Sequence, residues 1–176
     1  MPMRFPLNIA PRKGFRNTGR DFGASRGKER QHAGVDLLAT IGTDVFAMAD
    51  GVTGEYVPRF YTKSDQAIAI IHDDITGRYC EIAVLPQFRK AGVAVKQGDK
   101  IGSVSVLTEH NASMLHLEMY RESKRVPLTV RTNAPYDRAG SLIDPRPILE
   151  QAAATSGIVI PISVAMLDEG DATCTC

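Results

Sequence analysis

Among four histidines in 176 residues, His32 stands just ahead of Asp36 in Gln31-His32-Ala33-Gly34-Val35-Asp36. A second, His116, lies in Ser113-Met114-Leu115-His116-Leu117-Glu118-Met119-Tyr120. Imidazole nitrogens and carboxylate oxygens are the ligands of a catalytic zinc, which takes three protein groups and keeps its fourth position open. His32, Asp36 and His116 make such a two-histidine, one-carboxylate set. No cysteine belongs to it, which argues against a closed structural zinc. Each piece alone has a plainer reading: the first a surface loop that happens to hold both residue types, the second a polar face turned to solvent.

Ligands so far apart in the chain must be brought together by rigid elements. Strand alternation over 113–120 sends Met114, His116 and Glu118 to one face and Leu115, Leu117 and Met119 to the other. Glycine and proline punctuate short β-branched and aromatic runs along the whole chain, and helical periodicity is scarce, so a mainly β, antiparallel architecture is expected. The expected strands are 34–38, 44–49, 52–58, 66–72, 78–85, 100–106 and 114–120. Asp50-Gly51 and Thr76-Gly77 carry the signals of tight hairpin turns, and 95–102 has the same character. Asp144-Pro145-Arg146-Pro147 opens a short proline-started helix over 143–154 that would close the domain. Beyond it an apolar run gives way to a polar end, either an edge strand or a loosely held tail. The resulting division is an N-terminal extension over 1–19, one domain over 20–152 and a tail over 153–176.

Composition narrows the classes of function. Twenty-one basic against twenty acidic residues, a net charge of +1, leave no electrostatic footprint for a phosphate backbone, so nucleic acid is not expected as a partner. No apolar run reaches the ~18–20 residues needed to span a bilayer, and no membrane insertion is expected. The N-terminal prolines and arginines do not form the uninterrupted apolar segment of a secretory signal. Cys80, Cys174 and Cys176 are an odd number, with two of them nearly adjacent, so no disulfide framework is assigned; Cys80 reads as a small buried strand residue.

The order of motifs then becomes informative. His-x-Gly-Val-Asp (32–36) is followed by Gly-Thr-x-Val-x-Ala-x-x-Asp-Gly (42–51) and by Tyr79 to Ile82 on a strand. Val-x-x-Gly-x-x-Ile-Gly (95–102), Leu-His-Leu-Glu (115–118) and Asp-Pro-x-Pro-x-Leu (144–149) come next. In order and spacing this resembles the lysostaphin/LytM-type zinc endopeptidases of bacterial cell walls, over roughly residues 20–150. The resemblance implies an antiparallel β-sheet sandwich or roll. It also implies a groove whose floor carries Zn2+ bound by His32, Asp36 and His116, and a peptidoglycan peptide as substrate, cut in the stem or the cross-bridge.

Two places depart from the family pattern, which has non-ligand histidines where this chain has Glu81 and Met114. Glu81 is a competent general base toward water at a metal, although a strand glutamate can also be a plain surface residue. Met114 cannot move a proton or hold an oxyanion, so that role is either vacant or filled by a neighbour such as His110. A catalytically silent peptidoglycan-binding or regulatory module on the same fold is the alternative, since both non-ligand histidines are missing; retention of all three ligands argues against it. A biotinyl- or lipoyl-type carrier shares some turn motifs but would need a lysine at a hairpin tip. His72, beside Asp73 and Asp74, reads as a solvated turn residue, the loop 12–30 as a groove edge, and Arg78, by alternation, as facing away from Glu81. With no Sec signal, a wall-cutting role would require non-Sec delivery to the periplasm or cell wall, as a secreted antibacterial effector or a phage-type lysin. An immunity or delivery protein would then be a further partner.

Overall fold

The computed structural model describes residues 2–16, 19–106 and 113–162. Along them run β1 (Val35–Leu38), β2 (Asp44–Phe46), β3 (Gly51–Val57), β4 (Gln66–His72) and β5 (Ile75–Val84). Then come β6 (Ala94–Val95), β7 (Lys100–Val104), β8 (Met114–Tyr120), β9 (Leu142–Ile143) and the helix α1 (Arg146–Thr155). All pairings are antiparallel. The sheet runs β1-β8-β5-β4-β3-β6, with β7 joining β5 to β2 and β9 lying beside β8. The expected strands all form, and 66–72 and 114–120 have the bounds read from the sequence.

Two turn assignments are corrected. The Asp50-Gly51 turn joins β2 to β3, but these strands pair with β7 and with β4 and β6, not with each other. The tight turn between β4 and β5 sits at Asp73-Asp74, where Asp73 takes φ 48°, a left-handed conformation that aspartate tolerates; Thr76-Gly77 lies inside β5. His72 is corrected with it. It is 2% exposed, its Nδ1 bonds the Asp50 carbonyl at 3.0 Å, and its Nε2 faces the Tyr79 hydroxyl at 3.1 Å. Burial is the main reason that its pKa lies below the usual histidine value.

One face of the sheet builds the main core from Val35, Leu37, Ile68, Ile70, Tyr79, Ile82, Leu115, Leu117 and Met119. Alternation along β1, β4 and β8 puts these side chains on the same side. Helix α1 adds Leu149, Ala152 and Ala153, and Phe5, Leu7 and Phe15 of the N-terminal segment are fully buried in the same core. Pro147 falls in the first turn of α1, where its missing N–H interrupts no helical bond. The opposite face of β8 is also buried, because Leu128 of the segment that follows it packs on Tyr120 and Ala69.

Gly34 lets β1 approach β8. A Cβ there would collide with the Leu117 carbonyl oxygen and come within 2.9 Å of His116 Cε1. Gly34→Ala is expected to push the strands apart and cost about 1–3 kcal/mol, read as a lower urea midpoint at unchanged m-value. A parent-like midpoint would show that the strands do not need this approach.

Candidate metal centre and groove

β1 and β8 pair with Asp36 directly opposite His116, so their side chains meet on the sheet face away from the main core. His32 comes from the turn before β1. Its N–H donates to the Ala24 carbonyl at 2.8 Å, and its carbonyl accepts the Gly23 N–H at 2.9 Å. Three ligand-type atoms then converge. His32 Nε2 lies 3.0 Å from Asp36 Oδ1 and 3.0 Å from His116 Nδ1, and His116 Nδ1 lies 2.8 Å from Asp36 Oδ1.

The partners of the outer nitrogens fix what these atoms present. His32 Nδ1 sits 2.9 Å from the Asp21 carbonyl, which can only accept, so Nδ1 carries the hydrogen and Nε2 the lone pair. His116 Nε2 faces Glu118 Oε1 at 3.2 Å, which assigns the hydrogen to Nε2 and the lone pair to Nδ1. With neutral rings, two imidazole lone pairs and a carboxylate oxygen point at one another, a set that only a cation satisfies. Tetrahedral zinc bonds of ~2.0–2.2 Å would hold such atoms about 3.3 Å apart, close to the separations seen. His32, Asp36 and His116 could therefore hold a metal ion, with outer hydrogen bonds of the kind that orient metal-binding histidines.

Without a cation, the same atoms share a proton. Burial alone would lower the His116 pKa, but hydrogen bonds and charge from Asp36 and Glu118 outweigh it and push it up to about 10. Burial would raise the Asp36 pKa, and its bonds to His116 and His32 instead hold it well below the usual carboxylate range.

The supports reach far along the chain. Glu118 is fully buried and accepts bonds from Arg138 Nε at 2.7 Å, from Arg78 Nη1 at 3.4 Å and from the Tyr120 hydroxyl. Arg78 thus stands directly behind the centre, opposite Glu118 in the β5–β8 register, which corrects its assignment to the far side. Phe60 has Arg78 4.7 Å from its ring centroid and is stacked at 6.4 Å on His116. The Asp-Pro-x-Pro-x-Leu motif contributes Arg146, which bonds Asp144 Oδ2 at 2.7 Å and Asp21 Oδ2 at 3.3 Å. It thereby ties α1 to the residue whose carbonyl orients His32.

Glu81 reaches the centre through an irregularity. β5 pairs Cys80 with Ala67 but Ile82 with Gln66, so Glu81 is an extra residue in a bulge, at φ 64°. It is also where β5 leaves β8, with Cys80 opposite His116, and takes up β7, with Ile82 opposite Val104. The bulge breaks the period of two: Tyr79 and Ile82 enter the main core, whereas Glu81 lines the same groove as His32, Asp36 and His116. Glu81 Oε2 is buried with no hydrogen-bond partner among the described residues. Burial, opposed by His116 and reinforced by Asp36, pushes its pKa up to about 7.

Met114 lines the groove as well and packs on Leu38 directly across the β1–β8 pair. His110 lies outside the described residues. Glu118 was visible in the sequence as a carboxylate sharing the face of His116, but its role as acceptor for His116 Nε2 was missed. The Asp21 carbonyl leaves no sequence signal, because any residue could supply it.

A mainly antiparallel β fold with this centre in a groove defines a metallopeptidase-like class of domain. The sequence profile of Peptidase family M23 matches residues 30–128, and the chain belongs to that family. The fold is similar to that of the antimicrobial peptidase lysostaphin from Staphylococcus simulans, at 22% identity and a TM-score of 0.59, covering 86% of this chain and 55% of that one. It is also similar to a zinc containing peptidase from Vibrio cholerae, at 22% identity and a TM-score of 0.53, covering 72% of this chain. That match spans 39% of the Vibrio cholerae chain. The catalytic domain of the prophage-encoded M23 protein EnpA from Enterococcus faecalis, in a mutant form, matches at 22% identity and a TM-score of 0.50, covering 78% of this chain and 95% of that one. No curated protein sequence matches the chain. Among the described residues, no helix is long and apolar enough to cross a membrane.

Proposed function

We propose that this chain is a zinc-dependent endopeptidase acting on peptide bonds of bacterial peptidoglycan. The observation that carries the reading is the meeting of three lone-pair atoms, His32 Nε2, Asp36 Oδ1 and His116 Nδ1, in a groove that also holds the Glu81 carboxyl. Membership of Peptidase family M23 supports the reaction class, and the likeness to lysostaphin, named as an antimicrobial peptidase, supports the bacterial wall as the place of action. When bound, zinc supplies a Lewis acid that polarises a carbonyl and acidifies water.

The remaining work falls to side chains. Glu81 Oε2 takes the proton of the attacking water and returns it to the leaving amine, a task for which a pKa near the working pH is suited. A left-handed backbone at a non-glycine residue and a buried unpartnered oxygen both cost stability, and the combination at Glu81 fits a site kept for function. His110 is the proposed substitute for the absent histidine at position 114. Glu118 and the Asp21 carbonyl hold the two imidazoles in the required tautomers.

The test pairs metal analysis of the purified protein with mass spectrometry of peptidoglycan digests. One zinc per chain and release of peptide-cleaved muropeptides are expected. Stoichiometric zinc with no cleavage of any wall type would leave a silent binding module, and no metal after zinc supplementation would remove the ligand assignment.

A further inference from the structure

The groove carries more positive charge than its metal ligands require. Arg20, Arg26, Arg30 and Arg138 line it, against the carboxylates of Asp36 and Glu81. Glu29 and Asp137 line the adjoining outer hollow, which Arg26, Lys28 and Arg30 also border. Two of the four arginines are engaged. Arg138 bonds Glu118 at 2.7 Å, and Arg26 donates to the Gly19 carbonyl at 2.7 Å and reaches Asp36 Oδ2 at 3.4 Å. The Arg20 and Arg30 side chains have no hydrogen-bond or ion-pair partner among the described residues.

The backbone nevertheless fixes both beside the centre. The Arg20 carbonyl accepts the Asp36 N–H at 2.9 Å, and the Arg30 carbonyl accepts the Arg26 N–H at 2.8 Å. The Arg26–Arg30 contact closes a short loop in which Ser25 pairs with Gln31, next to His32. Arg26 and Arg30 both border the groove and its outer hollow, and Arg30, unlike Arg26, has no carboxylate within ion-pair distance among the described residues. A guanidinium offers a planar fork that matches a carboxylate.

We propose that Arg20 and Arg30 form the subsite for a free carboxylate of the substrate. Both arginines line the groove that holds His32, Asp36 and His116, so that carboxylate lies in the same groove as the bond presented to the metal centre. The substrate is therefore a carboxylate-bearing peptide, and not a neutral bridge. This rests on the peptidase reading above for the identity of the bond, but not for the anion site itself.

The test uses N-acetylated stem peptides of one sequence in three forms: a free C-terminal carboxylate, the C-terminal amide, and an acidic side chain replaced by its amide. Binding to the metal-stripped protein is measured by calorimetry, and KM is measured with the zinc-loaded protein. The parent is expected to prefer one acidic form over its neutral counterpart about 2- to 5-fold in both measurements, and the form preferred tells a terminal from a side-chain carboxylate. In Arg20→Gln/Arg30→Gln the ratio falls toward 1, and raising salt lowers it in the parent. Equal binding of acidic and neutral peptides by the parent, or a preference that survives in the double variant, overturns the subsite. A preference in binding without hydrolysis would keep the subsite and remove the peptidase reading. Hydrolysis without preference would do the reverse.

Discussion

His116→Ala is expected to lose bound zinc and peptide hydrolysis together, while Met114→Ala keeps the metal. Both residues stand on the same face of β8, one alternation apart, yet their surroundings differ. His116 Nδ1 is one of three atoms within about hydrogen-bond distance of each other, whereas the thioether of Met114 packs on Leu38. Glu118→Gln should fall between them. It keeps an oxygen near His116 Nε2 but removes the charge, and loss of such a supporting partner typically costs 10- to 100-fold in metal affinity. The ligand variant should lose more than that. Competition with a chromophoric zinc chelator gives the three affinities, and circular dichroism checks that β8 still folds. Equal metal loss in the 114 and 116 variants would mean that the ligand face of β8 has been assigned wrongly.

The centre was legible because its determinants are local and periodic. Alternation along 114–120 alone separates His116 and Glu118 from Leu115, Leu117 and Met119, and the structure places the first pair at the centre and the others in the main core. What failed was the same rule carried through β5. Period two from Glu81 sends Arg78 to the opposite face, but the bulge at Glu81 turns its side chain and leaves Arg78 on the face of Cys80, opposite Glu118. Nothing local announces that bulge. It arises because β5 must exchange β8 for β7 at that point, a requirement of the sheet and not of the residues. His72 failed for a similar reason. Asp73 and Asp74 next to it mark a turn, but burial depends on what covers the strand end: Tyr79 reaches it from the neighbouring strand β5, and the Asp50 carbonyl comes from the loop before β3.

Glu81→Gln is expected to slow peptide release by about 10²–10⁴-fold, the usual cost of losing a general base, with zinc still bound. The amide preserves size and one oxygen but cannot take a proton, so the rate reports the proton transfer and not the shape of the groove. The same substitution separates function from stability. With a pKa of about 7 in the folded protein against 4.5 as its ordinary value, the buried carboxyl holds its proton more tightly folded than unfolded. The pH-dependent part of its cost is therefore absent below about pH 4.5 and grows as pH rises through about 7. In metal-stripped protein the thermal midpoint of Glu81→Gln should gain on the parent between pH 5 and pH 8, while activity of the zinc-loaded variant falls. A slower but more stable variant is what a residue retained for chemistry predicts. Glu81→His, which places an imidazole at the same bulge, should recover part of the rate if proton acceptance is the function of this position. A Gln variant as fast as the parent would remove Glu81 from the mechanism. A rate loss accompanied by loss of zinc would mean that Glu81 acts by holding the metal centre together and not by accepting a proton.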